Sequence, residues 1–271
     1  MAHQFGAWLA TGDRAMKDRQ DRQDRQDTKD SEGFVVGVHA VSAALLQGRV
    51  RALWLDAARQ DARLQALRES TPYQDTDRST LDAMVPGVRH QGVVARCVAQ
   101  RPLNEDDLIA LLEVVQDPPF LIVLEGVQDP HNLGACLRSA EAAGVHAVIA
   151  PRDRAVGITP VVRKVASGAA EVVPFVQVTN LARTLRLLKE RGVWLVGTTD
   201  RAPQSLYEAN LTGPLALLMG TEGRGLRRLT AESCDFLVHI PMQGTIESLN
   251  VSVAAGICLF EALRQRQAAH R

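Results

Sequence analysis

Leu215-Ala-Leu-Leu-Met219, followed at once by Gly220-Thr-Glu-Gly-Arg-Gly225, is the stretch on which the fold turns. An apolar run without alternation reads as a strand buried on both faces, which is the signature of a parallel sheet. A glycine-rich loop directly after such a strand marks the carboxyl edge of that sheet, where open α/β folds bind their ligands. The pattern then repeats. Phe236 to Ile240 is a second strand, and Thr245-Ile-Glu-Ser248-Leu-Asn250 is a second polar loop. An apolar-striped helix follows from Asn250 to Gln267. The first loop lacks the Lys-Ser/Thr ending of a phosphate loop, and its glycines do not have the dinucleotide spacing. It therefore predicts a cofactor other than a nucleoside triphosphate. Its glycines let backbone groups come close to an uncharged portion such as an adenine.

Upstream, strands and helices alternate. Phe120 to Leu124, Ala147 to Ala150, Val172 to Phe175 and Val193 to Thr198 read as extended. Leu133 to Ala143, Pro160 to Ala166 and Leu181 to Arg191 read as helices, the first and last closed by Gly144 and Gly192. Repeated βα units predict a parallel sheet with helices on both faces. Asn132 lies in the loop after the first of these strands and Arg138 on the helix that follows. An arginine in that apolar helix reads as buried, so it needs either an internal carboxylate or a ligand phosphate. Ser248 and Asn250 stand where the last helix starts, and simple capping accounts for both.

Four segments are expected. Residues 1–33 hold the repeat Asp18-Arg-Gln-Asp-Arg-Gln-Asp-Arg-Gln-Asp27. With no apolar face at either period, they read as a disordered tail. Residues 34–103 form a small α/β unit carrying Arg49, Arg51, Arg59, Arg63, Arg68, Arg89 and His90. Residues 104–118, a short acidic helix ended by Pro118-Pro119, read as a linker, and residues 119–271 as the second domain.

Lys plus Arg equals Asp plus Glu at 31 each, so a nucleic-acid surface must be a local patch rather than the whole field. Cys97, Cys136, Cys234 and Cys258 form no CxxC pair, and the three of them that sit among apolar neighbours read as reduced core thiols. The seven histidines have no metal-ligand spacing, so no metal is expected. No apolar run is long enough for a bilayer and no signal peptide is evident, which predicts a cytoplasmic protein with no membrane partner.

Leu124-Glu-Gly-Val-Gln-Asp-Pro-His-Asn-Leu-Gly-Ala-Cys-Leu-Arg-Ser-Ala-Glu-Ala-Ala-Gly144 resembles the first motif of the SpoU/TrmH methyltransferases, in the SPOUT superfamily. Met219 to Leu226 resembles the second motif, and Ile240-Pro-Met with Ser248-Leu-Asn-Val-Ser252 the third. Gly37-Val-His-Ala-Val41 is similar to the start of an L30e-like RNA-binding domain. That domain is carried by members that methylate a guanosine ribose in the peptidyl-site loop of 23S rRNA. Lys164 to Glu171 and Asn180 to Arg183 also look like that branch.

The resemblance implies an α/β fold with a C-terminal trefoil-knotted parallel sheet, despite the general scarcity of knots. It also implies a homodimer, S-adenosylmethionine as cofactor and 23S rRNA as substrate. By motif position, Gly220, Ile240 and Leu249 would contact the cofactor, and Asn132, Arg138, Glu222, Ser248 and Asn250 fall on catalytic and substrate positions. His131 fits the motif as loop structure. The family's scheme makes Arg138 the base, but guanidinium almost never deprotonates in proteins. A phosphate clamp and alkoxide stabiliser is the better physical reading, with Glu222 free to take the proton or to fix Asn132. A tRNA ribose methyltransferase with the same motifs and a non-catalytic RNA-binding dimer are the alternatives.

Overall fold

The computed structural model describes residues 32–98, 102–221, 223, 225–246 and 248–269. The repeat tail expected at the N-terminus therefore lies outside the described residues, apart from its last two positions. The chain divides between Arg101 and Pro102 into two compact units, each with its own core.

In the first unit, strands β1 (Glu32–Val36), β2 (Val50–Asp56), β3 (Gln74–Thr76) and β4 (Val93–Val98) form one sheet in the order β1-β4-β2-β3. β4 runs antiparallel to both neighbours and β2 parallel to β3. Helices α1 (Val38–Leu46), α2 (Ala62–Ser70) and α3 (Arg78–Met84) connect the strands. Val41, Leu53, Leu55, Leu64 and Val93 fill the core. Two aspartates start two of the helices. Asp61 accepts from the backbone N–H groups of Arg63 and Leu64, and Asp77 from that of Thr80. Bonds from Ser79 and Thr80 hold the Asp77 carboxyl down to about 2.

The basic groups of this unit sort into two kinds. Arg49 donates to Gln47 and to the Val98 carbonyl, and Arg59 pairs with Asp61 and bonds the Gln91 carbonyl. Arg68 donates to the carbonyls of Asp56 and Arg59 and pairs with Asp75. His90 is buried, its Nδ1 accepting from the Gly92 N–H and its Nε2 meeting Asp82 at 2.9 Å. These four groups are committed to the protein. Arg63 meets His39 Nε2 at 3.4 Å, while Arg51 and Arg89 are exposed and have no hydrogen bond or ion pair among the described residues.

The second unit begins with α4 (Glu105–Val114), closed at its start by a reciprocal Asn104–Asp107 capping box. The stretch expected to be a linker is thus ordered into an element of this unit. Glu105 accepts from Thr179, and Leu103 bridges to Val176. The sheet comprises β5 (Phe120–Leu124), β6 (Ala147–Pro151), β7 (Phe175–Val178), β8 (Trp194–Thr198), β9 (Gln204–Ser205), β10 (Leu215–Met219) and β11 (Phe236–His239). Its order is β7-β6-β5-β10-β8-β11-β9, and each of these pairs is parallel. β5, β6 and β10 are buried along their whole length, as continuous apolar runs require.

Helices α5 (Pro130–Ala142), α6 (Pro160–Ala166), α7 (Ala169–Val172), α8 (Leu181–Glu190), α9 (Arg228–Ser233) and α10 (Val251–Ala269) complete the unit. α5 starts earlier than its apolar stripe suggests, because Asp129 caps it and Pro130 occupies N1. Val172 to Phe175 is not one extended piece. α7 ends at Val172, and the ladder begins only after Pro174, which has no N–H to give it. α10 folds back along α5. Its Arg266 bonds the carbonyls of Gly213 and Pro118 and lies over the Phe120 ring, 4.9 Å from its centre. Burial pushes His146 below its ordinary value, and its Nδ1 accepts from the Phe120 N–H at 2.9 Å.

Candidate active site

The register of the sheet places the site. Met219 stands opposite Leu124, so Gly220 and Glu125 leave the sheet side by side, and the Glu125 N–H donates to the Met219 carbonyl at 2.8 Å. Thr198, at the end of β8, donates through Oγ1 to the Leu218 carbonyl at 3.0 Å. β11 lies beyond β8, which brings Ile240 to the same edge. The loop after β10 closes on itself. Thr221 and Gly225 exchange both backbone hydrogen bonds, at 3.1 and 2.9 Å. Gly220 makes the closure possible, since a Cβ there would fall 2.0 Å from the Gly225 carbonyl carbon.

Behind this loop lies a cavity of about 450 Å³. Its walls include Gly220, Ile240, Ser248 and Leu249, four of the residues singled out from sequence. Met219, Val251 and Ala254 add apolar surface, while Asp200 and Arg201 supply the charged side chains. An apolar slot faced by glycine backbone, with charge among the described residues confined to one stretch, suits a flat heterocycle with a charged tail. The cavity therefore fits S-adenosylmethionine in size and in chemistry.

Asn132 and Asn250 come together although 118 positions separate them. The Asn250 Nδ2 donates to the Asn132 Oδ1 at 3.0 Å. Asn250 is also a cap, its Oδ1 accepting from the Ser252 N–H at 3.0 Å. His131 lies in the first turn of α5 rather than in the loop, its N–H donating to the capping Asp129.

Arg138 departs from expectation. It is exposed, makes no hydrogen bond or ion pair among the described residues, and lines neither cavity described here. The buried side of α5 runs through Leu133, Cys136, Leu137 and Ala140, and position 138 lies off that stripe. The six residues from Asn132 to Arg138 also set it about 9 Å further along the axis. Glu222 falls outside the described residues.

A second cavity of about 750 Å³ adjoins the first, and Thr221, Gly225 and Val251 line both. Asn132, Asp129 and Arg154 line only the second. Gly126, at φ +80, allows the loops to meet, because a Cβ there would lie 2.7 Å from the Thr221 methyl. Glu125 is buried and accepts from the Thr230 hydroxyl at 2.7 Å and the Arg227 N–H at 2.9 Å. It fixes the start of α9 after the glycine loop, a role that sequence reasoning missed. The available signal was a carboxylate directly after a fully apolar strand, where burial demands partners.

Burial pushes the thiols of Cys136, Cys234 and Cys258 up to about 12, so none supplies a nucleophile. Among the described residues no group of His, Cys, Asp or Glu could hold a metal ion, and no helix is long and apolar enough to cross a membrane.

A sequence model of the SpoU rRNA Methylase family matches residues 119–260. A second, for RNA 2'-O ribose methyltransferase substrate binding, matches residues 34–103. The chain is 55% identical over 240 residues to the 23S rRNA (guanosine-2'-O-)-methyltransferase RlmB of Pseudomonas putida, covering 86% of this chain and 96% of that one. The SpoU methyltransferase AviRb of Streptomyces viridochromogenes, solved with AdoMet, is similar across 98% of both chains, with a TM-score of 0.71 and 27% identity. The TrmH/SpoU tRNA modifying enzyme of A. aeolicus matches 61% of this chain and 85% of its own, with a TM-score of 0.53 and 31% identity.

Proposed function

The chain belongs to the SpoU rRNA Methylase family, and we propose that it is an S-adenosylmethionine-dependent 2′-O-methyltransferase acting on a guanosine ribose in the peptidyl-site loop of 23S rRNA. One observation carries the reading. An apolar, glycine-faced cavity shares a wall with a polar cavity containing Asn132, so a methyl donor and a ribose have adjoining seats.

The cofactor supplies a methyl group on a positively charged sulfur. The protein must bring a 2′-hydroxyl in line with that methyl and manage the proton it loses, because a free alcohol is a poor nucleophile near neutral pH. Gly220, Ile240 and Leu249 hold the donor through backbone and apolar contact. Asn250 orients the Asn132 amide at the wall of the ribose seat. Arg138 clamps the target phosphate and steadies the forming alkoxide. Glu222 takes the proton or fixes Asn132, and Ser248 shapes the mouth of the donor cavity.

Full-length protein should transfer labelled methyl from S-adenosylmethionine to a hairpin bearing the peptidyl-site loop. No transfer to that loop by protein that binds the cofactor would leave the non-catalytic dimer as the reading. The tRNA alternative is disfavoured because the similarity to the tRNA modifying enzyme stops at 61% of this chain, while a substrate-binding model covers residues 34–103.

Those residues hold the RNA in this reading, through the arginines that the unit does not use internally. Arg51→Ala with Arg89→Ala should raise the KM for RNA about tenfold and flatten its salt dependence, leaving cofactor affinity alone. Unchanged KM and salt slope in that variant would take the first unit's arginines out of the interface.

The trefoil knot and the homodimer belong to the same proposal. β10 lies between β5 and β8 although it follows both in the chain, with β6 and β7 intervening between those two, and α10 returns to α5, which supports the first. Val253 and Phe260 form an exposed apolar stripe on α10, which supports the second. The protein would act in the cytoplasm, where its RNA is.

A further inference from the structure

The second cavity holds side chains that methyl transfer does not use. Arg154 sits at φ +59, a backbone region that non-glycine residues occupy only where their surroundings hold them. Here the next residues are tied down, with the Val156 N–H donating to the Val127 carbonyl at 2.9 Å. The Arg154 side chain is exposed and has no hydrogen bond or ion pair among the described residues. Asp129 uses one carboxylate oxygen to cap α5, accepting from the His131 N–H at 2.9 Å, and its other oxygen has no partner among the described residues. Arg154 and Asp129 do not pair with each other, although both line the cavity. A guanidinium and a carboxylate oxygen thus remain open to a ligand beside Asn132.

Guanine is the base that matches this pair. It offers acceptors at N7 and O6 on one edge and donors at N1–H and the 2-amino group on the other. Adenine presents an amino donor where guanine has O6, and it has no donor at N1. We propose that the cavity seats the target base and selects guanine, with Arg154 donating to N7 and O6 and the free Asp129 oxygen accepting from the 2-amino group. This rests on the methyl transfer proposed above and adds the part of the site that chooses the base.

The test uses four hairpins that differ only at the target nucleotide, which is guanosine, 7-deazaguanosine, inosine or adenosine. Labelled methyl transfer by the full-length protein gives kcat/KM for each. The wild-type protein should lose about 10- to 100-fold on replacing guanosine with 7-deazaguanosine, and more with adenosine. Arg154→Ala should be slow on guanosine and no slower on 7-deazaguanosine, with cofactor Kd and Tm unchanged. Asp129→Asn keeps the capping oxygen and should no longer favour guanosine over inosine. If wild-type protein accepts 7-deazaguanosine as readily as guanosine, or Arg154→Ala still separates them, the base seat is overturned while methyl transfer stands. If wild-type protein methylates none of the four, the underlying activity fails, and this assignment with it.

Discussion

Gly220→Ala should weaken S-adenosylmethionine binding by more than about 100-fold and abolish methyl transfer. The glycine is needed for space, since φ at this position is not in the left-handed region. An added Cβ would lie 2.0 Å from the Gly225 carbonyl carbon and 2.2 Å from both the Gly225 oxygen and the Leu226 nitrogen. All three are backbone atoms, so no side chain can rotate away to make room. The loop has to open, and the two hydrogen bonds between Thr221 and Gly225 go with it. Those bonds contribute about 1 kcal/mol each, and forced overpacking adds about 1–3 kcal/mol. The same loop walls the donor cavity, so the loss falls on cofactor affinity. Gly223 is the control. It has φ +76 but open space around its Cβ position, so Gly223→Ala carries backbone strain without the collision and should be milder. Titration calorimetry with S-adenosylmethionine, alongside a thermal melt, reads both. Binding within a few-fold of wild type in Gly220→Ala would show that the loop does not form the cofactor wall.

The same contrast between local and distant causes separates what could be read from the sequence from what could not. β5 and β10 were plain because strands buried on both faces must be apolar throughout. The Gly220 loop was plain for the neighbouring reason that a backbone meant to approach a ligand has to shed its side chains. α9 was not legible, because its first turn is held by Glu125, 102 positions earlier in the chain. β9 is two residues long, too short for any alternation to register. The meeting of Asn132 with Asn250 carries no local signal; likeness to known motifs assigned both to one site without giving their contact. Arg154 and the open oxygen of Asp129 went unassigned for a related reason. Which polar groups stay unpaired depends on contacts across three loops. Among the arginines of the first unit, residue type was evident, yet Arg49, Arg59 and Arg68 are bonded internally while Arg51 and Arg89 remain open.

Arg138→Ala should cut methyl transfer by about 10²- to 10³-fold and leave Tm and cofactor affinity where they are. The two halves of this prediction have separate grounds. An exposed side chain with no hydrogen bond or ion pair among the described residues contributes little to stability, within about 0.5 kcal/mol for a surface change. It lines neither cavity, so the donor's seat is untouched. A large kinetic loss would therefore come from contact with RNA in the transition state. Arg138→Lys separates the roles. A clamp that works by charge keeps part of its effect with an ammonium and retains the wild-type pH profile, whereas a base would impose a new acidic limb. A rate near wild type in Arg138→Ala would remove this residue from both roles. The arginine's distance from its own chain's cavities raises one more question, which two inactive proteins can answer. In a homodimer, mixing Arg138→Ala chains with Gly220→Ala chains gives about half mixed dimers. If each arginine serves the partner's cavity, every mixed dimer holds one site with an intact loop and an intact arginine, and about a quarter of wild-type activity returns. If each arginine serves its own cavity, the mixture stays as inactive as its parts.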